Sequence, residues 1–312
     1  MQRRKFIAGL AGGLAAGMLS DEDVLLAARR RRVSRSWYLL ERIGVSSWSF
    51  HNYFLRTQES AYQGSQDTMA LLDFPEMIAD RYKIHNLEFI APHFGSTEPA
   101  YFQELRMRLI RTHSRLMNIA VDIEDLRTEG GLSDPADSVR ERAVEASKSW
   151  IDIAARLGAR SVRCDPGRLN PQHLEPTIDS YQELAAYGRS KRVRVIVENH
   201  GGVGSEHPAE LVNLFKKVNS RSFGALPDFG NFPDQKTRMR GLALLFPYAL
   251  TVCHAKGLEF DAQGNEMKYA FPACVAIAKR AKFRGIYSIE YEGLGDPYQG
   301  VQNVLNELLR YL

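Results

Sequence analysis

Four short apolar runs in the C-terminal half of the chain each end in a side chain able to hold a metal ion or move a proton. Val195-Ile196-Val197 leads to Glu198, followed by Asn199, His200 and Gly201. Leu226-Pro227 leads to Asp228, ahead of Phe229, Gly230 and Asn231. Val252-Cys253 leads to His254, then Ala255, Lys256 and Gly257. Ser288-Ile289 leads to Glu290, with Tyr291, Glu292 and Gly293 behind it. Singly, such a carboxylate is a helix cap or a solvated group, and such a histidine a structural hydrogen-bonder. Four at equivalent places in successive runs form a pattern. Brought to one point, the carboxylates would repel one another and resist ionisation, and a divalent cation removes that repulsion. One imidazole with three carboxylates is a hard, oxygen-rich set that suits Mn²⁺, Mg²⁺ or Co²⁺, with Zn²⁺ as the alternative.

Those runs need elements that carry their ends to one place. From residue 43 the chain alternates short apolar stretches with longer amphipathic ones. The pattern predicts strands over residues 43–50, 86–94, 118–126, 161–167, 194–201, 223–231, 251–257 and 285–293. Helical segments are predicted over 99–115, 136–157, 174–190, 208–218, 239–246 and 298–312, with Gly158 and Asn219 as stop signals. Alternating strand and helix means βα units and a parallel sheet. Eight units predict a single (β/α)8 TIM barrel over residues 43–312, whose strand C-terminal ends meet at the mouth. A dinucleotide-binding sheet would carry a glycine-rich turn after its first strand, and Ser46-Ser47-Trp48-Ser49-Phe50-His51 has no glycine. The connection 51–73 is long, and Tyr53, Phe54 and Tyr62 make it either an apolar lid or a surface insertion.

Further candidates lie at other predicted strand ends. Trp48 and His51 could form an aromatic wall against which a ligand ring stacks, and Glu88 and His93 close the second strand, as substrate contacts or, for His93, as a structural strand-end histidine. His200 could support Glu198 or touch substrate. Lys256 shares the face of His254 and could bind a hydroxyl or an enolate oxygen. Arg163 and Asp165 either pair with each other or line the pocket.

The barrel pattern and the motifs Val-Glu198-Asn-His-Gly-Gly, Pro-Asp228-Phe-Gly-Asn, His254-Ala-Lys256 and Ile-Glu290-Tyr-Glu-Gly resemble the sugar phosphate isomerase/epimerase family. These are xylose isomerase-like TIM barrels that include ketose 3-epimerases and inosose dehydratases. The resemblance implies that Glu198, Asp228, His254 and Glu290 coordinate one divalent metal. It selects Glu290 over Glu292, and it makes Glu198 and Glu290 the groups that move protons. The activity it implies is a metal-dependent sugar isomerase or epimerase, with proton transfer beside a carbonyl through an enediolate. The alternative is a lyase or dehydratase eliminating from an inosose or 3-keto-glycoside. A non-catalytic sugar-binding barrel is a further reading. Two departures weigh against free-ketose 3-epimerisation. Asn231 stands where many members have a histidine, and residues 257–261 lack the arginine that some ketose epimerases carry.

Charge narrows the partners. The chain has 312 residues and a net charge of +4. Residues 1–35 hold eight basic and three acidic side chains, a net +5, which leaves −1 for the rest. A near-neutral barrel has no footprint for nucleic acid, which argues against an endonuclease IV-like nuclease, as does the lack of histidines at the third and fourth strand ends. The partner expected is a small sugar or sugar derivative, and an oligomer is compatible with the sequence. The first 35 residues read as an export leader. Arg3-Arg4-Lys5-Phe6-Ile7 resembles a twin-arginine motif, and a glycine-rich apolar stretch too short to span a bilayer follows. Partnership with the twin-arginine export machinery and a periplasmic location are expected, with cleavage near Ala27-Ala28 or retention as a membrane anchor. Cys164, Cys253 and Cys274 show no paired spacing and read as buried thiols.

Overall fold

The computed structural model describes residues 38–62, 68–127 and 130–312, so the leader lies outside the described residues. Residues Leu39–Leu312 form one compact unit. Eight parallel strands run through it: β1 (Ile43–Ser46), β2 (Asn86–Ile90), β3 (Arg115–Ala120), β4 (Ser161–Arg163), β5 (Arg194–Glu198), β6 (Phe223–Leu226), β7 (Val252–Gly257) and β8 (Ile286–Tyr291). Helices α1 (Phe74–Tyr82), α2 (Pro99–Arg111), α3 (Asp137–Leu157), α4 (Glu175–Lys191), α5 (Pro208–Val218), α6 (Gln235–Leu245), α7 (Phe271–Arg280) and α8 (Pro297–Tyr311) follow the strands in turn. This is the expected TIM barrel.

Neighbouring strands pair in the order β6-β5-β4-β3-β2-β1-β8-β7, with β1 beside β8. The remaining seam, β6 to β7, closes through isolated parallel bridges at Ala225–Ala249 and Asp228–His254. There the His254 amide donates to the Pro227 carbonyl at 3.0 Å, and the Phe229 amide donates to the His254 carbonyl at 3.1 Å. Two of the four candidate ligands therefore face each other across the least regular pairing of the barrel.

Side-chain alternation explains what points inward. Along β7, Cys253 and Ala255 join the core under the helices, while Val252, His254 and Lys256 face the barrel interior. Along β8, Tyr287, Ile289 and Tyr291 pack outward, leaving Ile286, Ser288 and Glu290 inside. On β5, Val195 and Val197 go to the outer core and Ile196 and Glu198 inward. Met117, Ile196, Leu226, Val252 and Ile286 form a separate apolar layer low in the barrel. The acidic residues sit above it, toward the strand C-termini, so the same strands supply a dry floor and a charged mouth.

Several strands are shorter than predicted. The apolar run continues past β1, but Ser46 Oγ accepts from the Trp48 amide at 3.2 Å and opens a 3-10 turn over Ser47–Tyr53. The strand predicted over 161–167 ends at Arg163, ahead of Pro166, which has no amide proton. Likewise β6 stops at Leu226, before Pro227. Helix α6 starts four residues before the predicted 239, because Asp234 accepts from the Thr237 amide at 2.8 Å as its N-cap. Gly158 and Asn219 both adopt the left-handed conformation that ends their helices. All three cysteines are free and buried, and burial pushes the Cys164 and Cys274 thiols up to about 12.

Candidate metal centre

Glu198 ends β5, Asp228 follows β6, His254 lies mid-β7 and Glu290 near the end of β8, so four consecutive strands each deliver one inward side chain. All four are buried. One donor atom from each lies within 4.8 Å of the others. His254 Nδ1 is the hub, 3.1 Å from Glu198 Oε1, 3.2 Å from Glu290 Oε2 and 3.4 Å from Asp228 Oδ2. Donors on opposite sides of a magnesium-sized ion lie about 4.2 Å apart, at about 2.1 Å each. The spread of these atoms fits one such ion. Asp228 Oδ2 is buried without a hydrogen-bond partner, whereas Asp228 Oδ1 accepts from the amides of Gly230 at 2.6 Å and Asn231 at 2.7 Å. A buried carboxylate oxygen without a hydrogen bond, held only by ionic contacts of 3.4 Å to His254 and Lys256 and aimed into a nitrogen–oxygen cage, is what a metal ligand would leave. The residues present therefore fit the ion that their chemistry implies.

The surrounding residues hold this set in position. Glu88 on β2 reaches across the barrel to His254 Nε2, at 3.1 and 3.2 Å from its two oxygens, and accepts from Asn118 Nδ2 at 2.7 Å. With Nε2 facing carboxylate acceptors, the lone pair of a neutral imidazole is left on Nδ1, toward the other three ligands. Glu88 was expected to touch substrate. It is instead fully buried behind His254, because its place on β2 faces the imidazole rather than the mouth. Asn199 fixes Asp228 from its backbone: its side-chain oxygen accepts from the Asp228 amide at 2.8 Å, and its Nδ2 donates to the Asp228 carbonyl at 3.2 Å. Asn231 Nδ2 donates to Glu198 Oε1 at 3.0 Å. Arg163 is buried and pairs with Glu198 Oε2 and Asp122, with Asp165 Oδ2 at 3.7 Å. Lys256 Nζ stands 2.9 Å from Glu290 Oε2, 3.4 Å from Asp228 Oδ2 and 3.0 Å from Glu292 Oε2. The other Glu292 oxygen accepts from Trp48 Nε1 at 2.6 Å.

The charges are unbalanced in a way that favours a cation. Glu88, Asp122, Asp165, Glu198, Asp228, Glu290 and Glu292 face the cations Arg163 and Lys256, the more exposed Arg127 at 3.7 Å from Asp122, and the imidazoles of His254 and His200. Burial works to raise the Glu198 carboxyl, but Arg163 and then His254 hold it well below the usual range. Burial likewise opposes Glu290, whose neighbours His254 and Lys256 bring it to about 2. Asp228 is raised by burial, with Lys256 acting against the rise. Burial would lower His254, yet Glu290, Glu88 and Glu198 lift it well above 6.5. Without a metal, the imidazole proton offsets the carboxylates, and a cation at Nδ1 must displace it.

The remaining candidates separate by contact. Trp48 is half-buried at the mouth and stacks on His51, with ring centroids 4.7 Å apart and planes 19° apart, so part of the expected wall exists. His51 is buried, with Nδ1 at 2.9 Å from the Trp48 carbonyl and Nε2 at 3.4 Å from Glu59. His93 lies away from the ligands. Phe54 covers one face at 3.8 Å, Ser47 Oγ takes Nδ1 at 2.9 Å and Thr57 Oγ1 takes Nε2 at 3.0 Å. With both nitrogens engaged and the ring buried, His93 is a packing group rather than a substrate contact. Phe54 is therefore core, while Tyr53 and Tyr62 stay half-exposed beside a cavity of about 270 Å³. His200 is half-exposed and holds Asp165 Oδ2 at 3.1 Å. Glu198 and that contact raise it to about 9. Asp165, Glu198 and His200 also cluster as metal ligands could, but the Arg163 guanidinium already lies on Glu198 and beside Asp165, which disfavours a second cation. A cavity of about 460 Å³ opens here, lined by Glu198, His200, Asp165, Arg127, Arg168 and Leu126. Sequence reasoning missed Asp122, Asn118 and Asn199. Only the last carried a signal, sitting directly behind Glu198.

A closed parallel barrel with a buried carboxylate–imidazole cluster at its strand C-termini defines a TIM barrel whose mouth could hold a metal ion. The chain belongs to the xylose isomerase-like TIM barrel family, whose sequence model matches residues 81–310. None of the curated proteins matches it. Solved structures share the fold. A xylose isomerase-like TIM barrel protein from Mycobacterium smegmatis in complex with magnesium is similar at 16% identity, with 87% of this chain and 97% of that chain covered and a TM-score of 0.62. D-psicose 3-epimerase from Clostridium cellulolyticum H10 gives 13% identity, 86% and 96% coverage, and 0.63. The probable 3-DHS dehydratase AsbF from Bacillus anthracis gives 12%, 86% and 98%, and 0.61.

Proposed function

We propose that this protein is a divalent-metal-dependent sugar isomerase or epimerase that moves a proton beside a carbonyl. The observation that carries the proposal is the convergence of Glu198, Asp228, His254 and Glu290, with Asp228 Oδ2 buried among them without a hydrogen bond. Family membership and epimerase neighbours of the same fold support it. Mn²⁺, Mg²⁺ or Co²⁺ suits the donor set, and a magnesium complex in one neighbour accords with that. A divalent ion held there polarises a substrate carbonyl and acidifies the adjacent C–H.

The chain's own residues then handle the proton. Glu198 and Glu290 approach from β5 and β8, and their neighbours keep both ionised at neutral pH, ready to accept a proton. They differ in company. Glu198 is tied to Arg163, whereas Glu290 adjoins the Lys256 ammonium, which, despite burial, Asp228, Glu290 and Glu292 hold protonated well above the usual lysine range. Abstraction by Glu198 and delivery by Glu290 would place the two steps on different elements. Trp48 and His51 offer an aromatic edge for a sugar ring, and Glu292 holds Trp48 and Lys256 together.

A lyase or dehydratase is the second reading. Lys256 suits it, since a buried ammonium beside Asp228, Glu290 and Glu292 can hydrogen-bond a departing oxygen and stabilise its negative charge. The dehydratase neighbour adds support. Asn231 in place of the family's histidine keeps the substrate from being a simple ketose by analogy.

Proton exchange tests both readings. The full chain, stripped with chelator and reloaded with Mn²⁺, is incubated in D₂O with ketoses, inososes and 3-keto-glycosides. Metal-dependent deuterium beside the carbonyl, lost in Glu198→Gln and Glu290→Gln, is expected. Unchanged product mass apart from the label identifies an epimerase or isomerase, and loss of a leaving group a lyase. Absence of exchange in every substrate, with metal bound, would sink the proton-transfer reading.

We further propose that the chain is exported through the twin-arginine machinery to the periplasm, on the strength of Arg3-Arg4-Lys5-Phe6-Ile7. Cell fractionation of the wild type against a variant carrying Arg3→Lys and Arg4→Lys tests this, and cytoplasmic retention of both would overturn it.

A further inference from the structure

The pole opposite the metal ligands holds a second cavity, of about 670 Å³, at the N-terminal ends of the strands. Met117, Leu250 and Ile286 give it an apolar floor, continuous with the lowest packing layer inside the barrel. Its rim carries Arg160, Lys191, Arg192, Arg194 and Arg284, and no carboxylate lines it among the described residues. Lys191 is already spoken for, with Asp152 at 2.6 Å. The other four guanidinium groups have no hydrogen bond or ion pair among the described residues. Chain geometry brings them together. Arg160 directly precedes β4 and Arg194 opens β5, and the Arg194 amide donates to the Arg160 carbonyl at 3.0 Å. Arg284 approaches from the opposite side, two residues before β8.

Four unpaired guanidinium groups around one concavity repel one another in a barrel whose net charge is near neutral. Each presents a planar fork that matches the oxygens of a phosphate group in pairs, and an apolar floor strengthens such contacts by lowering the local dielectric. A lone carboxylate would leave most of the forks unused. We propose that this cavity is an anion site that binds the phosphate group of a phosphate monoester or diester, either free in solution or in an anionic lipid headgroup. It is separate from the metal centre, and it does not depend on the reaction proposed above.

The test uses the full chain, with inorganic phosphate as the soluble probe and phosphatidylglycerol vesicles, against phosphatidylcholine vesicles, as the lipid probe. Binding is followed by calorimetry and by the thermal midpoint, against sodium chloride at equal ionic strength. The variant carries Arg194→Gln and Arg284→Gln. Both side chains are exposed, so the fold should stand, and Mn²⁺ binding at the other pole checks that it does. Saturable phosphate binding that falls at least about tenfold in the variant, as loss of two charge-assisted contacts implies, and that persists in Glu198→Gln is expected for a free ligand. Capture on phosphatidylglycerol vesicles that exceeds the variant's capture assigns the headgroup instead. Comparing two chains with the same leader removes the leader's own charge from that difference. Phosphate binding that the variant retains, or neither probe distinguishing wild type from variant, would overturn the proposal.

Discussion

Glu88 illustrates how one carboxylate away from the cavity mouth can prepare a candidate metal site. Its oxygens face Nε2 of His254, so that when a cation displaces the Nδ1 proton the remaining proton stays on Nε2 and the Nδ1 lone pair points toward Glu198, Asp228 and Glu290. Replacing it with glutamine keeps the size and removes the charge that fixes the tautomer. Glu88→Gln is expected to weaken metal binding about 10- to 100-fold while the fold persists, as measured by calorimetric titration. Unchanged affinity would mean that the Glu88–His254 contact is incidental. His93 makes a different prediction at the same scale. Burial, and then the nearby His51, lowers it to about 3, so the folded protein holds it neutral. The unfolded chain takes up a proton near pH 6.5, so the stability that His93 contributes is complete above pH 6.5 and drains away as pH falls toward 3. At pH 5 the loss is about 2 kcal/mol. Thermal midpoints between pH 7 and 5 should fall less steeply in His93→Asn than in the wild type, and equal slopes would contradict the assignment.

Among the elements, the β6–β7 seam bears the most on the site, because it is the least regular pairing and carries Asp228 opposite His254. Gly224 on β6 makes the close approach possible. A Cβ there would lie 2.4 Å from the Tyr248 carbonyl oxygen and 2.8 Å from Leu250 Cγ. Backbone oxygen cannot swing aside as a flexible side chain would. Gly224→Ala is therefore expected to cost about 1–3 kcal/mol of stability and to loosen metal binding along with it, as read from the unfolding midpoint and a titration of the same sample. Full stability in that variant would show that the seam tolerates spreading.

The elements also show what the sequence could disclose. Period-two alternation made the convergence of the four candidate ligands legible, because each stands on the inward side of an apolar run whose outward residues are equally apolar. The same runs hid where strands stop. Hydrophobicity continues through Trp48 and Phe50 after β1 has turned into a 3-10 segment, and through Cys164 after β4 has ended. Contacts across the barrel left no trace in the sequence: Glu88 and His254 lie 166 residues apart, and nothing local to either announces the other. The choice between a structural and a substrate-contacting His93 was hidden for the same reason. Its cage of Phe54, Ser47 and Thr57 comes from the connection after β1, which could be read equally as a lid or an insertion.

Across residues 36–312, a near-neutral total of −1 conceals two poles of opposite character. The strand C-termini gather carboxylates around His254, and the N-terminal ends gather unpaired arginines around an apolar floor. Both follow from one architecture, since a parallel barrel sends every strand's start to one end and every strand's finish to the other. The acidic pole carries the central claim, that Glu198, Asp228, His254 and Glu290 hold one divalent cation. The most direct measurement is calorimetric titration of Mn²⁺ into the chelator-stripped full chain, repeated in buffers of different ionisation enthalpy. One tight site per chain is predicted, with proton release at neutral pH because the incoming cation displaces the proton that the carboxylates hold on His254. Binding should be lost in Asp228→Asn, whose Oδ2 has no hydrogen bond in the fold and only ionic contacts of 3.4 Å to His254 and Lys256. Tight binding that survives in Asp228→Asn, or no binding by the wild type, would contradict the account.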